Sequence, residues 1–405
     1  MKTDLALSTL ACVCLLAISA QAQDWPQWRG PNRDAKATGF EAPKTWPQAL
    51  ALKWKTTVGD ADATPALVGD KLYVFSRIGD SEVLQCLDAG AGKELWRTAY
   101  EAGPATGPAS GHPGPRSSPT VAEGKVVTLG ARGTVSCVDA ATGKVLWRKD
   151  DYKGWPQFFT SMSPLVADGL CIAHVGGKTN GAVVAYDLAS GDEKWKWTGD
   201  APGYDSPVLM DIGGSKLAIV ETAKEIIGLD PATGKVEWET GFAPKGMGQN
   251  CETPIVSGDT LIYTGADRGA VAVKLEKQGD AFTSKELWTN PENSPRFATP
   301  VLKNGLLFGL SGNGNFYCID AQTGKTAWTE ADAKRGPFGS IVDAGDVMLA
   351  LTPKSQLIAF APSDKQFSQL ASIKVADKDT YAYPVVSGKR LFVQDKDSVA
   401  LWMFE

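Results

Sequence analysis

Short apolar runs separated by turn residues dominate the chain, and no stretch shows the 3.6-residue period of a long amphipathic helix. One unit illustrates the arrangement: apolar stretches cover residues 118–122, 125–131, 134–139 and 144–149, and short polar or glycine-containing turns separate them. Each stretch has the length of a strand, and each turn is short enough to join two antiparallel neighbours. The pattern therefore predicts four consecutive antiparallel strands in this unit.

The start of this unit, a Ser or Thr followed by Pro and an apolar pair, recurs along the chain. Its copies are spaced 43 to 54 residues apart and lie at Thr64-Pro65, Ser118-Pro119, Ser163-Pro164, Ser206-Pro207, Thr253-Pro254 and Thr299-Pro300. Weaker versions at Ser340 and at Tyr383-Pro384 bring the count to eight. Four strands in each repeat of this length are typical of a propeller blade. We therefore predict an all-β fold, an eight-bladed β-propeller with four-stranded antiparallel blades.

A second signal marks the last turn of a unit: an Asp, then a Gly, then a Trp on the following strand. The Asp and Trp of the five good copies are Asp88 and Trp96, Asp139 and Trp147, Asp187 and Trp195, Asp230 and Trp238, and Asp320 and Trp328. An Asp caps a tight turn, a Gly accepts positive φ, and a Trp gains stability when it is buried. These residues are therefore assigned to blade structure and not to a functional site.

Three units depart from the pattern. The fifth unit carries an insertion over residues 276–285, the seventh has no Trp and Phe367 is its nearest aromatic residue, and the eighth ends at Glu405 with one strand too few. An unpartnered strand at residues 52–58, which holds Trp54, supplies what the eighth unit lacks. We predict that this N-terminal strand completes the last blade, because closing the ring removes the free sheet edges of an open array.

The N-terminal residues predict export. An apolar run from Leu5 to Ser19 ends in Ala20-Gln21-Ala22, which fits a signal peptide over residues 1–22, and the run is too short to span a bilayer. Residues 23–51 form an irregular arm, and residues 52–405 form a single propeller domain. The expected location is the periplasm or the exterior. Whether the arm, with Trp25 and Trp28, fills the central channel is left open by the sequence.

Charge and cysteine content exclude several classes of function. Lys and Arg number 41 against 46 Asp and Glu, so no basic surface for nucleic acid is expected. Five cysteines remain after residue 22, and no spacing of Cys and His resembles a zinc site. Cys86, Cys137 and Cys318 share one repeat position and are interpreted as buried apolar residues. We expect no bound metal, and the disulfide state of the five cysteines stays open.

The repeat also carries a family resemblance. The pattern Ala/Cys-x-Asp-x-x-Thr-Gly-Lys-x-x-Trp resembles the tryptophan-docking repeat of pyrroloquinoline-quinone (PQQ) type eight-bladed propellers, and it covers Trp54 to Glu405. This superfamily contains quinoprotein dehydrogenases and non-catalytic proteins similar to the outer-membrane assembly factor BamB. In the dehydrogenases, PQQ lies between a Trp and a disulfide of adjacent cysteines, Glu and Asn hold Ca²⁺, and an Asp acts as base. The chain has no adjacent cysteine pair after residue 22, so the resemblance implies the scaffold and not the chemistry.

Candidate site residues lie in the loops that join one blade to the next, since these loops surround one mouth of the channel. They are His112, Arg116, Trp155, Gln157, Asn250, Glu252, Arg296, Phe297 and Tyr381. Arg116 can hold an anionic group or pair with a carboxylate of the chain. The aromatic residues suit a peptide, sugar or ring ligand, or they pack the blades together.

The predicted function is a non-catalytic binding or scaffold module with no cofactor. Its expected partner is an envelope or extracellular protein, or a small ligand, and the chain is expected to be a monomer without a membrane span. The alternative is a compact quinoprotein-type oxidoreductase that acts on an alcohol, sugar or polymer and depends on PQQ and Ca²⁺. In that alternative Asn250 and Glu252 lie near Ca²⁺ and Arg116 lies on a quinone carboxylate.

Overall fold

The computed structural model describes residues 23–246, 248–330 and 335–404, and the predicted signal peptide lies outside them. These residues form eight four-stranded antiparallel sheets in a ring, which confirms the predicted eight-bladed propeller. The strands of the first four blades are β2 (Ala66–Val68), β3 (Lys71–Ile78), β4 (Ser81–Asp88), β5 (Glu94–Glu101), β6 (Thr120–Ala122), β7 (Lys125–Leu129), β8 (Val135–Asp139), β9 (Val145–Lys149), β10 (Leu165–Ala167), β11 (Leu170–Val175), β12 (Ala182–Asp187), β13 (Glu193–Trp197), β14 (Val208–Ile212), β15 (Ser215–Glu221), β16 (Glu225–Leu229) and β17 (Val236–Gly241).

The remaining blades follow the same order, from the inner strand at the channel to the outer strand. Their strands are β18 (Ile255–Ser257), β19 (Thr260–Gly265), β20 (Gly269–Gln278), β21 (Ala281–Asn290), β22 (Val301–Lys303), β23 (Leu306–Leu310), β24 (Phe316–Asp320), β25 (Thr326–Glu330), β26 (Ser340–Ala344), β27 (Val347–Leu351), β28 (Gln356–Phe360), β29 (Gln369–Lys374), β30 (Val385–Ser387), β31 (Arg390–Gln394) and β32 (Ser398–Met403). A 3-10 turn covers Gly107–Ala109. None of the described residues forms a helix long and apolar enough to cross a membrane.

The ring closes with strands from both ends of the chain. Strand β1 (Ala51–Thr57) pairs antiparallel with β32 and becomes the outer strand of blade 8, as the unpartnered strand around Trp54 predicted. The insertion in the fifth unit does not form a separate loop. It extends β20 and β21 into a long hairpin whose register continues to the pair Gln278 and Ala281.

The recurring Ser or Thr before Pro has a structural role that its sequence pattern did not reveal. From Thr64 to Thr253, the backbone N–H of each such residue donates to the side-chain hydroxyl of the equivalent residue in the next blade, at 2.9–3.0 Å. This chain of bonds runs from Thr64 through blades 2 to 5 to Thr299, and Tyr383 of blade 8 donates to Thr64 Oγ1 at 2.9 Å. The repeated hydroxyls therefore bind neighbouring blades together along this part of the ring, and the Pro that follows each of them directly precedes the inner strand.

The repeated tryptophans join neighbouring blades at their outer edges. The indole Nε1–H of Trp147 donates to the carbonyl of Leu188 in blade 3 at 3.1 Å, and the ring lies against Gly191. Four other seams have the same bond, from Trp54 to Ala89, Trp195 to Pro231, Trp288 to Ala321 and Trp328 to Ser363. Gly191 has φ +77°, and a Cβ there would lie 2.6 Å from the Trp147 ring. Gly is thus required both by the turn and by the close approach of the indole.

Substitutions at two glycines of blade 3 distinguish the requirement of the turn from that of the indole contact. Gly191→Ala should destabilise the protein by about 1–3 kcal/mol more than Gly169→Ala, because overpacking adds to the strain of positive φ. Gly169 has φ +76°, but a Cβ at that position would meet nothing within 4 Å, so it is the matched control. The measurement is the midpoint of denaturant unfolding for both variants. Equal midpoints would show that the Trp147 contact contributes nothing to blade packing.

The N-terminal arm crosses the channel. Trp25 is fully buried and forms a two-way backbone bridge with Leu67 in blade 1. Arg29 donates to the carbonyls of Thr299 at 3.1 Å and Pro300 at 2.8 Å in blade 6. Arg33 bonds to blades 3 and 4, where it donates to the carbonyls of Ser163 at 3.1 Å and Pro207 at 2.9 Å, and also to that of Pro164. The arm therefore lies across the axis and plugs the channel, which answers what the sequence left open.

The five described cysteines are all free thiols, and four of them are buried in the blades. Cys86, Cys137 and Cys318 are fully buried, as their shared repeat position predicted. Burial raises the pKa of the Cys137 thiol to about 12, since the thiolate would be desolvated. These cysteines pack as small apolar side chains.

Candidate binding site at the channel mouth

One mouth of the channel opens into a cavity of about 450 Å³. All eight connections between successive blades contribute to its wall, and Trp28 of the N-terminal arm is also part of it. Its principal lining residues are Trp28, Asp62, Thr64, His112, Arg116, Ser118, Phe158, Ser161, Tyr204, Ser206, Gln249, Cys251, Arg296, Phe297, Thr299, Phe338, Tyr381 and Tyr383. Because the arm crosses the channel, the cavity is closed at one end.

Aromatic side chains form a continuous arc around one half of this mouth. Phe297 and Phe338 stack face to face, with ring centroids 4.3 Å apart and an interplanar angle of 5°. The edge contacts continue from Phe338 to Tyr381 at 5.3 Å and from Tyr381 to His112 at 5.0 Å. Phe297 is 37% exposed and Phe338 is 36% exposed. We call these four residues the aromatic arc.

An arginine lies at each end of the aromatic arc. The Arg296 guanidinium is 5.3 Å from the centroid of the Phe297 ring, and Arg116 donates to the carbonyl of His112 at 3.0 Å. In the part of the chain that the structure describes, neither arginine forms an ion pair with a carboxylate. Burial lowers the pKa of Arg116, and nearby Asp62 opposes that shift. Of the two roles that the sequence left open for Arg116, pairing with a carboxylate of the chain is therefore not observed among the described residues.

The carboxylate in this wall already has a hydrogen-bond partner. Asp62 accepts from His112 Nδ1 at 3.0 Å, and this hydrogen bond is the main cause of the raised pKa of His112. Asp62 is the one carboxylate among the described lining residues. The wall holds two arginines, and its one acid, Asp62, is already paired with His112. The cavity therefore has a positive electrostatic character.

The structure brings five of the nine predicted site residues together at the cavity, namely His112, Arg116, Arg296, Phe297 and Tyr381. Trp155 and Gln157 do not line it. Trp155 lies outside, with the Arg132 guanidinium 4.7 Å from its ring centroid, and Gln157 is exposed to solvent. Phe158 and Ser161 of the same loop do line the cavity, so a position in this loop was not enough to predict which side chains face it.

Asn250 and Glu252 are also absent from the cavity wall, where Gln249 and Cys251 lie instead. Residues 250 and 252 point into the protein because alternate residues of an extended segment face opposite sides. The amide of Asn250 donates to the carbonyls of Thr222 at 2.9 Å and Phe242 at 3.1 Å. Its oxygen accepts from Arg268 at 2.5 Å. Asn250 therefore holds blades 4 and 5 together.

Behind Cys251 lies a cluster of buried acids that sequence reasoning did not identify. Asp205, Glu221 and Glu252 are 4%, 0% and 0% exposed, and the carboxylate oxygens of both glutamates lack a hydrogen-bond partner. Desolvation, with added repulsion from Glu252, raises the pKa of Asp205 to about 8. Desolvation raises the pKa of Glu252 to about 8, although Arg268 opposes the shift. Glu221 lies at the end of an apolar strand, and nothing in its sequence context distinguished it from a surface acid.

The described residues contain no group of three or more His, Cys, Asp and Glu side chains placed to hold a metal ion. The three buried acids therefore do not constitute a recognisable metal centre. Burial opposes the ionisation of all three acids, and the backbone N–H of Glu221, which donates to Asp205, and the guanidinium of Arg268 counteract it.

A family model described as outer membrane protein assembly factor BamB matches residues 79–330, which is more than half of the chain. The chain belongs to this family. BamB of Burkholderia pseudomallei is 25% identical over 352 residues, covering 85% of each chain. Among solved structures, BamB from Moraxella catarrhalis aligns with a TM-score of 0.66 at 16% identity, covering 88% of this chain and 98% of that chain. Quinohemoprotein alcohol dehydrogenase from Comamonas testosteroni aligns with a TM-score of 0.72 at 15% identity, covering 94% and 80%. The two structural likenesses establish the propeller fold.

The mouth of this BamB-family chain does not fit PQQ and Ca²⁺ as the dehydrogenase resemblance describes them. Cys251 is the one cysteine among the described lining residues, so no disulfide of adjacent cysteines covers the cavity. Every polar group of the Asn250 side chain is bonded to protein. Glu252 lies behind the wall. The residues expected to bind Ca²⁺ are therefore directed away from the space where a quinone would lie.

Proposed function

We propose that the chain is an exported, non-catalytic binding module that holds another envelope protein at the channel mouth. The observation that supports this most directly is the cavity itself. It is built by all eight blade connections, closed by the N-terminal arm and bordered by exposed aromatic rings. Such rings supply the apolar contact area that protein interfaces use, and arginines are enriched in the same surfaces.

The chemistry at the mouth supports binding more than catalysis. His112, the one histidine in the wall, is paired with Asp62, and no nucleophile lies within hydrogen-bond distance of its ring in the described chain. A general base must lie within hydrogen-bond distance both of the group whose proton it takes and of the group that orients it. The BamB relatives, whose name describes outer-membrane assembly factors, support the same proposal by family membership.

Site-directed photo-crosslinking in an envelope extract tests this proposal. A photo-reactive residue at Phe338 should give a discrete crosslinked product, since Phe338 is 36% exposed in the aromatic arc. The same residue at Leu146 is the control, because Leu146 is 41% exposed but lies on the outer strand of blade 2. Identical products from both positions would contradict a partner at the mouth.

The oxidoreductase alternative has its own test. PQQ and Ca²⁺ are added to the purified protein, and quinone absorbance and dye-linked alcohol oxidation are measured. We expect neither stoichiometric binding nor turnover, because Asn250 and Glu252 do not face the cavity. Saturable binding with turnover would overturn the proposed function.

A further inference from the structure

The shape of the mouth cavity limits what can enter it. Arg29 of the N-terminal arm bonds to blade 6 and Arg33 bonds to blades 3 and 4, and Trp28 packs edge-on against Tyr383 with centroids 5.6 Å apart. A polymer therefore cannot pass through the channel. The occupant of the closed cavity is either a tight loop or the end of a chain.

The charges of the cavity wall further limit the chemistry of the group that can bind there. Arg116 precedes the inner strand of blade 2 and Arg296 precedes that of blade 6, so the two lie four blades apart on opposite sides of an eight-bladed ring. Neither has an acidic partner among the described residues, and the lining acid Asp62 is paired with His112. Unpaired guanidiniums at a partly desolvated wall favour a carboxylate, to which they donate two parallel bonds. An ammonium group would be repelled, which excludes the N-terminus of a chain.

The aromatic arc connects the two arginines. Phe297 lies beside Arg296, His112 lies beside Arg116, and Phe338 and Tyr381 fill the space between them. An aromatic side chain next to the bound carboxylate would continue this series of ring contacts, each with a preferred stacked or edge geometry. One terminal residue would then supply both the aromatic ring that is buried against the arc and the carboxylate that contacts an arginine.

We propose that the cavity binds the C-terminal residue of a partner protein, with its free carboxylate on Arg116 or Arg296 and an aromatic side chain against the aromatic arc. This proposal rests on the proposed function and specifies the part of the partner that is bound. It assigns the specificity of the mouth to the charge of a chain end, which internal segments of other proteins lack.

Fluorescence anisotropy with labelled synthetic hexapeptides tests the proposal on the full mature chain. A peptide that ends in phenylalanine with a free carboxylate should bind at least tenfold more tightly than the same peptide with a C-terminal amide. Replacing the last phenylalanine with alanine should also weaken binding severalfold. Equal affinity for acid and amide would overturn the proposal, as would equal affinity of an amidated peptide that carries an internal glutamate.

Variants locate the carboxylate contact. Arg296→Gln alters an exposed side chain and should leave the unfolding temperature unchanged. Arg116→Gln removes the bond to the His112 carbonyl, so its unfolding temperature is measured first. At least one of the two should reduce the tenfold preference for the acid to less than threefold, while Arg97→Gln on β5 should preserve it. Retention of the full preference in both variants would contradict the assignment.

The outcomes separate the two proposals. Crosslinking at Phe338 without any preference for the free carboxylate would leave the proposed function intact and reject the chain-end inference. Binding of N-acetylphenylalanine as tightly as the hexapeptide would show a small-acid site and would likewise reject it. Loss of both the Phe338 crosslink and all peptide binding would reject the proposed function itself.

Discussion

Arg33→Ala is expected to destabilise the propeller by about 2–4 kcal/mol, because buried carbonyls in blades 3 and 4 lose a shared donor. Arg33 is 5% exposed, and its guanidinium bonds to the carbonyls of Ser163, Pro164 and Pro207. Desolvation lowers the pKa of Arg33 to about 9, so part of the loss is offset when the buried charge is removed.

The measurement is the midpoint of denaturant unfolding, with limited proteolysis of the N-terminal arm as a second readout. Arg97→Ala is the control, since that side chain is 54% exposed and its loss should change stability by less than about 0.5 kcal/mol. Arg33→Lys should restore only part of the stability, because an ammonium group lacks the planar fork. A midpoint for Arg33→Ala equal to that of Arg97→Ala would show that the arm is not part of the folded core.

Stability should fall as pH rises from about 5 to about 9, and Glu252→Gln should remove part of this dependence. Burial raises the pKa of Asp205 and of Glu252 to about 8, so between their ordinary range and pH 8 the folded protein holds more protons than the unfolded chain. Under proton linkage, stability is then lost through this interval and levels off above it. Glu252→Gln should be near neutral at pH 5 and stabilising by about 1–3 kcal/mol at pH 9.

Thermal unfolding of the wild type and of Glu252→Gln at several pH values measures this effect. Glu41→Gln serves as the control because Glu41 is exposed in the N-terminal arm. Its curve should run parallel to that of the wild type. A parallel curve for Glu252→Gln as well would mean that the buried acids are already neutralised by Arg268, and the predicted pH dependence would be wrong.

The ring of blades was predictable because it is a repeated local pattern. The Asp, Gly and Trp of Asp139 to Trp147 and its copies specify a turn and a docking side chain within nine residues, and β1 was recognisable because the last unit lacked one strand. Local periodicity and turn chemistry are sufficient for such elements. The Ser or Thr before Pro was equally visible, but its bond to the next blade joins residues 43 to 54 positions apart.

The candidate site was predicted only in part. Loop position was enough for His112, Arg116, Arg296, Phe297 and Tyr381, since every blade connection reaches the mouth. It failed for Asn250 and Glu252, whose direction depends on a two-residue alternation within an irregular loop, and for Trp155, which lies outside the mouth although Phe158 of the same loop lines it. Positive φ at single residues and the facing of alternate side chains are set by packing with neighbouring blades and are not encoded in composition.

By itself the sequence determined the eight-bladed ring, its closure by β1 and the burial of the repeated Cys residues and of Trp147, Trp195 and Trp238, because each follows from a local pattern that the repeat makes visible. Only the tertiary structure decided that the N-terminal arm plugs the channel and that Asn250 and Glu252 are absent from the cavity wall. It also decided that Asp205, Glu221 and Glu252 share a buried space. These groupings join residues separated by tens to hundreds of positions, and ring closure brings them together only after every blade has folded.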